Sequence, residues 1–172
     1  AARGGAALRR ARAAVLVAML CSACGGETEP RERQLAPAFE LPDLAGQTVR
    51  LADFAGRTVV IDFWATWCIP CKKQIPVLNA FHRSVAGQDV VVLGVAVDAG
   101  GHDVVAPFAA EQKVEYAVVL GDAQLAFDYG APGFPALAVV SPSGHVDSLH
   151  LGVIDRASLE TAVRDARERT GP

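Results

Sequence analysis

The chain has 172 residues and is 51% apolar, which is enough for one compact domain of ordinary size and too little for two. Its first 24 residues hold four arginines and no acid, so the remainder carries 12 basic and 19 acidic side chains, a net charge of −7. An acidic domain without a basic stripe excludes nucleic acid as an expected partner.

The amino end has the pattern of an export signal, because the arginines precede the apolar run AAVLVAML, residues 13–20, and small residues follow. That run is shorter than the about 20 residues that a membrane-spanning helix needs. We therefore interpret residues 1–24 as a signal peptide. Its last segment, CSAC, resembles a bacterial lipoprotein box in which Cys24 would be acylated, although Cys21 stands where leucine is usual. Ordinary cleavage nearby and an uncleaved membrane tether are the alternatives.

The next segment, GGETEPRERQLA, covers residues 25–36 and consists of glycine, proline and charged residues with few apolar side chains. Such a composition cannot bury a core. We predict that this segment is a flexible tether, and that the folded domain extends over residues 37–172.

Strand patterns alternate with helix patterns in the domain. Two short segments, AFEL and TVRL, are separated by the turn-forming PDLAGQ and predict a hairpin. The apolar run TVVIDFW, residues 58–64, is expected at the centre of the sheet, because such a run is typical of a strand buried on both faces. Further strands are predicted at VVVLGVAV, EYAVVL, ALAVVS and HVDSLHL, and helices at 68–86, 104–113, 125–129 and 157–169, the last capped by Asp155 or a nearby polar residue. This order predicts an α/β sandwich.

A Cys-x-x-Cys pair, Cys68 and Cys71, follows the central strand. A zinc site that also used Cys21 and Cys24 is disfavoured, because the separation of the two pairs far exceeds the loop of a small zinc module. A purely structural disulfide would close a loop of four residues and would hardly constrain the unfolded chain. Redox exchange is the third interpretation, and it accounts for the neighbouring residues as well.

At a helix N-terminus, residues i and i+3 lie on one face with Cα atoms about 5 to 6 Å apart, close enough for a disulfide. The first cysteine meets unpaired N–H groups and the positive end of the helix dipole, which favour its thiolate. We therefore predict that Cys68 is the nucleophile. Cys71 lies one turn further on and faces the sheet, so we expect it to be shielded and to act second. Pro70 suits the first helical turn, where its missing N–H costs nothing.

The segment VVIDFWATWCIPCK and its lead-in PAFELPDLAGQTVRLADFAGR resemble the thioredoxin superfamily, and within it the exported, membrane-anchored reductases of the TlpA and ResA type. The resemblance implies a thioredoxin-like fold, with a central mixed sheet flanked by helices and an N-terminal β-hairpin extension. It also implies a cis-proline loop that faces the dithiol, for which Pro135 is the matching residue. The bulky Phe134 before it is expected to alter the choice of partner. The residues expected to contact substrate are Trp67, Pro70, Phe134 and Pro135.

Asp62 lies six residues before Cys68 on the central strand, where thioredoxins have a buried aspartate and many TlpA-type proteins have asparagine. We interpret it as the base that deprotonates Cys71, directly or through water. The alternative is a tolerated buried acid. Asp98, at the end of the next predicted strand, is either an accessory acid or an ordinary strand-end cap.

These features predict a thiol–disulfide oxidoreductase on the periplasmic side of the bacterial cell envelope, anchored to the membrane through its N-terminus. It is expected to reduce disulfides in exported proteins and to be recharged by a membrane electron donor of the thiol–disulfide type. Cytochrome c maturation is the task that the resemblance implies. The Cys68–Cys71 disulfide is itself the redox group, so no cofactor and no metal are expected.

Two other functions remain open. A thiol peroxidase of the AhpC/TSA group would share the lead-in AFELPDLAGQ, but Ala65 stands where such enzymes have threonine, three residues before the peroxidatic cysteine. A copper-binding assembly protein typically has Cys-x-x-x-Cys and a distant histidine. The cysteine spacing here is one residue shorter, and no histidine has a clear ligand position.

Overall fold

The computed structural model describes residues 34–169, so the predicted signal peptide, Cys24 and most of the predicted tether lie outside the described residues. The described part contains seven strands, a short 3-10 turn at Leu51–Phe54 and four helices. The strands are β1 Glu40–Pro42, β2 Thr48–Arg50, β3 Thr58–Trp64, β4 Val90–Ala96, β5 Ala117–Leu120, β6 Ala136–Val140 and β7 Val146–Leu151. The helices are α1 Ile69–Ser84, α2 His102–Glu111, α3 Ala123–Asp128 and α4 Arg156–Glu168.

Five strands form one mixed sheet in the order β5-β4-β3-β6-β7. β4 runs parallel to β3 and β5 parallel to β4, whereas β6 and β7 are antiparallel to their neighbours. β3 is buried along its whole length, as expected for a central strand. β1 and β2 pair as a separate antiparallel hairpin. The mixed sheet with flanking helices and the N-terminal hairpin are therefore confirmed.

One face of the sheet is covered by α1 and α4. Val60 of β3 packs there with Leu78 of α1 and Leu159 of α4. Side chains alternate along a strand, so Asp62 and Trp64 point to the same side as Val60. The strand that leads into the dithiol thus directs its one acid toward α1.

The other face is covered by the chain around the hairpin and by α3. Ile61 and Phe63 of β3 belong to a cluster that contains Phe39, just before β1, and Tyr129, just after α3. The rings of Phe63 and Tyr129 lie 5.2 Å apart, and the Tyr129 hydroxyl donates to the carbonyl oxygen of Pro37 at 2.8 Å. This second layer packs on the face of β3 opposite to α1 and α4.

Helix α1 follows the sequence prediction closely. It runs from Ile69 to Ser84 with Cys68 as its N-cap, against a predicted range of 68–86. The apolar side chains of its predicted inner face are buried: Cys71, Ile75, Leu78, Phe81 and Val85.

The predicted cap of the last helix is also confirmed, because the Asp155 carboxylate accepts from the Ser158 N–H at 2.9 Å.

The residues just before the predicted start of the domain pair with the β6–β7 hairpin. Ala36 N–H donates to the carbonyl of Gly144, and Val146 N–H donates to the carbonyl of Gln34, both at 2.9 Å. Both are backbone hydrogen bonds; Leu35 between them is exposed, whereas Ala36 packs against the core. Residues 34–36, which the sequence assigns to the tether, thus pair with the β6–β7 hairpin, and the boundary at Pro37 stays a prediction.

The helices within residues 34–169 include none with the length and hydrophobicity that crossing a membrane requires.

Candidate active site

Cys68 and Cys71 are joined by a disulfide at the N-terminus of α1, and their Cα atoms lie 5.3 Å apart. The Sγ atom of Cys68 accepts a hydrogen bond from the Cys71 backbone N–H at 3.2 Å. The same N–H, in the first turn of the helix, also donates to the Cys68 carbonyl oxygen at 3.2 Å, so it is shared between the sulfur and the carbonyl. After reduction, the same N–H and the helix dipole can stabilise a thiolate on Cys68. Pro70 lies within the first turn, as predicted.

The disulfide is buried beneath an exposed apolar rim. Cys71 is 1% exposed, as expected for the shielded cysteine, but Cys68 is only 4% exposed. Trp67 and Ile69, the residues on either side of Cys68, are 65% and 73% exposed. In this oxidised form the accessible surface is therefore formed by the neighbours of Cys68 rather than by its sulfur.

The loop before β6 lies beside this rim. The peptide bond between Phe134 and Pro135 is cis, as the resemblance implies. The Phe134 ring packs edge-on against Trp67 with ring centroids 5.9 Å apart. The Pro135 carbonyl accepts from the Gly152 N–H at 2.8 Å, which fixes the loop to the segment after β7. Trp67 and Phe134, two of the predicted contact residues, are thus brought together.

Asp62 is a buried acid with an altered pKa. It is 1% exposed, its Oδ2 accepts from the Tyr116 hydroxyl at 3.4 Å, and its Oδ1 has no hydrogen-bond partner within residues 34–169. Burial disfavours the charged form and raises the pKa of Asp62 to about 7, and the bond from Tyr116 opposes this rise. A carboxyl group with this pKa can accept and release a proton at neutral pH.

Asp98 holds the loop that leads into Cys68. Its carboxylate accepts from the Thr66 backbone N–H at 3.0 Å and from the Thr66 hydroxyl at 2.6 Å. The contact supports the strand-end cap over the accessory acid, because the carboxylate is engaged with the loop backbone. Its effect on the site is to fix the residues just before the dithiol.

Sequence reasoning missed two buried polar residues, Gln74 and Tyr116. Gln74 lies one turn after Cys71, and its amide oxygen accepts from the Ile154 N–H at 2.8 Å. It thereby ties α1 to the segment that also holds the Pro135 carbonyl. The sequence signal was the i+3 spacing from Cys71, which places Gln74 on the inner face of the helix.

The part of the chain from 34 to 169 has no cluster of three or more His, Cys, Asp or Glu side chains arranged to hold a metal ion.

A model of the AhpC/TSA family matches residues 33–149, which is more than half of the chain. The chain belongs to the AhpC/TSA family. The thiol–disulfide oxidoreductase ResA of Bacillus subtilis is 28% identical over 158 residues, which cover 86% of this chain and 87% of that protein. The ResA protein of Geobacillus kaustophilus is 30% identical over 127 residues, 73% of this chain and 72% of that protein.

Solved structures agree with these relatives. The structure described as a thiol:disulfide interchange protein DsbE from Chlorobium tepidum has a TM-score of 0.72 and 30% identity, and the match covers 78% of this chain and 96% of that chain. The thioredoxin-like fold is therefore confirmed. Together with the Cys68–Cys71 disulfide, these similarities confirm the predicted thiol–disulfide oxidoreductase, an enzyme that exchanges disulfides with its partners. These relatives are named for disulfide exchange and not for peroxide reduction.

Proposed function

We propose that this oxidoreductase acts as a reductant of disulfides in exported proteins, on the periplasmic side of a bacterial cell envelope. The observation that carries the proposal is the disulfide at the N-terminus of α1, whose Cys68 sulfur receives the Cys71 N–H. The arginine-led apolar segment before Cys24 supports export, and acylation of Cys24 would anchor the chain to the membrane.

The proposed cycle begins with the reduced dithiol. The Cys68 thiolate attacks one sulfur of the substrate disulfide and forms a mixed disulfide, and the other substrate sulfur leaves as a thiolate and takes up a proton. Cys71 then loses its proton and attacks Cys68 Sγ, which forms the Cys68–Cys71 bond and releases the second substrate thiol. Two electrons pass to the substrate, and a membrane dithiol donor restores the reduced pair.

Asp62 is the proposed acceptor of the Cys71 proton, through one water. Two residues of β3 beyond Val60 advance the chain by about 6.6 Å, which corresponds to four or five residues of a helix running in the opposite direction. Because Val60 and Leu78 belong to one cluster, Asp62 lies about level with Gln74, one helical turn after Cys71, and the transfer would run through a water. Its pKa of about 7 suits a base at neutral pH.

The residues between the cysteines favour reduction over oxidation. Ile69 and Pro70 carry no charge, whereas a positive group at this position would stabilise the Cys68 thiolate, hence the reduced protein, and so make the pair a stronger oxidant. Without such a group the dithiol gives up its electrons more readily. Cytochrome c maturation, the task implied by the TlpA and ResA resemblance, is the proposed context.

The exposed rim is the proposed docking surface for an extended substrate segment. Trp67 and Ile69 offer apolar surface beside the dithiol, and Phe134 packs against Trp67 from the cis-proline loop. Pro70 and Pro135 lie next to these residues along the chain. Large exposed aromatic side chains of this kind provide contact area at low conformational cost.

In the native host, acid quenching followed by thiol alkylation of cell fractions should find the protein in the membrane fraction with Cys68 and Cys71 mostly reduced. A Cys24→Ser variant should leave the membrane fraction, and Cys21→Ser, the matched control, should remain there. A predominantly oxidised pair in the wild-type cell would contradict a reductant, and Cys24→Ser that stays in the membrane fraction would contradict acylation.

A further inference from the structure

The residue that donates a hydrogen bond to Asp62 lies two strands away in the sheet. Tyr116 directly precedes β5, and β4 separates β5 from β3. The Tyr116 hydroxyl nevertheless lies 3.4 Å from Asp62 Oδ2, and both side chains are buried. The phenol ring therefore passes over β4 to reach the carboxyl group on β3.

Gly94 provides the space for this passage. In the register of the sheet it stands beside Asp62 on one side and beside Val118 on the other. A Cβ atom at position 94 would lie 2.9 Å from Tyr116 Cε2 and 2.8 Å from Trp64 Nε1, distances that real Cβ atoms do not tolerate. The glycine that interrupts the apolar run of β4 thus lies where the phenol crosses.

We propose that Tyr116 is a positioning residue for disulfide exchange, whose hydroxyl keeps the Asp62 carboxylate in its proton-accepting form at neutral pH. This inference rests on the proton transfer to Asp62 proposed above. Burial, followed by the charge and the hydrogen bond of Asp62, raises the pKa of Tyr116 well above its ordinary value. The hydroxyl therefore stays protonated and remains a donor throughout the cycle.

The other residues around Asp62 either have no ionisable side chain or have one that is exposed or engaged in another contact. Its register partners, Gly94 on β4 and Leu137 on β6, carry none. On α1, Cys71 is the ionisable residue of the inner face once the disulfide is reduced. The nearby charged side chains of α1, of the loop after β4 and of the segment before Tyr116 are exposed or engaged in other contacts: Lys72 over the Phe108 ring, Lys73 exposed, Asp98 on Thr66 and Glu115 on Arg83.

Removal of the Tyr116 hydroxyl should raise the pKa of Asp62, because the bond stabilises the charged carboxylate. We expect the step in which Cys71 resolves the mixed disulfide to shift its pH midpoint upward by about one unit in Tyr116→Phe. Near pH 7 the ionised fraction of Asp62 would fall from about half to about a tenth, so resolution would slow roughly fivefold. The rates of variant and wild type should converge at alkaline pH.

The test uses the full chain in a Cys21→Ser, Cys24→Ser background, so that Cys68 and Cys71 are the reacting thiols. The reduced protein is mixed with dithiobis(nitrobenzoate) over a range of pH. Attack by Cys68 breaks the reagent disulfide and releases one coloured thionitrobenzoate, and attack by Cys71 on Cys68 Sγ releases the second. The two absorbance phases therefore report the attacking and resolving steps separately. A carbon-13 titration of the Asp62 carboxyl in the same variants measures its pKa directly.

The matched control is Tyr129→Phe, which removes the hydroxyl of another buried tyrosine that contacts Pro37 instead of Asp62. It should leave the midpoint unchanged, and Gly94→Ala should reproduce the shift of Tyr116→Phe. If Asp62→Asn removes the pH dependence but Tyr116→Phe matches wild type in both measurements, the role of Tyr116 is overturned and that of Asp62 stands. If Asp62→Asn keeps the wild-type profile, the proposed proton transfer fails, and the role of Tyr116 in the reaction fails with it.

Discussion

Replacement of Asp62 by asparagine is expected to change the free energy of unfolding by about 4 kcal/mol more in the stabilising direction at about pH 9 than at about pH 3. The carboxyl group has a pKa of about 7 in the folded protein and 3.8 as its ordinary value. Asparagine has the same shape, can still accept from Tyr116, and carries no charge that burial penalises.

The sign of the pH dependence follows from the pH at which Asp62 loses its proton in the folded state and in the unfolded state. Below about pH 4 the carboxyl is protonated in both states, so Asp62 has no ionisation penalty. Between about pH 4 and about pH 7 the unfolded chain releases the proton while the folded chain keeps it, so the wild-type free energy of unfolding falls as the pH rises. Above about pH 7 the loss is complete.

Urea unfolding of wild type and Asp62→Asn at several pH values measures this difference. Asp89→Asn is the matched control, because Asp89 is exposed, and its difference from wild type should stay small at every pH. A constant difference between Asp62→Asn and wild type from acid to alkaline pH would contradict the raised pKa. The same variant should slow the resolving step several-fold near neutral pH and leave attack by Cys68 nearly unchanged. The buried Asp62 would thus lower the stability of the folded domain while it speeds the reaction.

Cys68→Ser is expected to lower the rate of insulin reduction by at least roughly a hundredfold, to that of the uncatalysed reaction. A serine hydroxyl does not form the mixed disulfide, and Cys71, which is 1% exposed, cannot replace the thiolate at the helix N-terminus. The measurement is turbidity from insulin chains in the presence of dithiothreitol, with the full chain.

Cys24→Ser provides the matched control for that assay, because it makes the same chemical change at a cysteine that is not part of the Cys68–Cys71 pair. Its rate should equal that of wild type. Retention of most of the activity in Cys68→Ser would show that another thiol performs the attack.

The local elements of the fold could be predicted because their patterns are contained within short windows of sequence. β3 is a run of seven apolar or buried residues, and α1 has apolar side chains at spacings of three and four. Both therefore appear in the structure at nearly the predicted bounds. The pairing of residues 34–36 with the β6–β7 turn could not be predicted, since it depends on backbone groups brought together from more than a hundred positions away.

The candidate site was predictable to the same extent. Cys68, Cys71 and Asp62 lie within ten residues of one another, so a short stretch of sequence predicts the dithiol and the buried acid. Tyr116 is 54 residues from Asp62, and the meeting depends on strand order and on the missing side chain of Gly94. A glycine within an otherwise apolar strand is the one local signal of such a close approach. It does not show which residue approaches.

The central claim is that Cys68 attacks and Cys71 releases, and a trapping measurement in the native host tests it most directly. Cys71→Ser keeps the attacking thiol and lacks the resolving one, so it should accumulate covalent complexes with exported proteins that dithiothreitol dissolves. Cys68→Ser, with its remaining thiol buried at the sheet, should accumulate few or none. Complexes that form in Cys68→Ser and not in Cys71→Ser would contradict the assignment of the two cysteines, and the absence of complexes in both variants would contradict disulfide exchange through this pair.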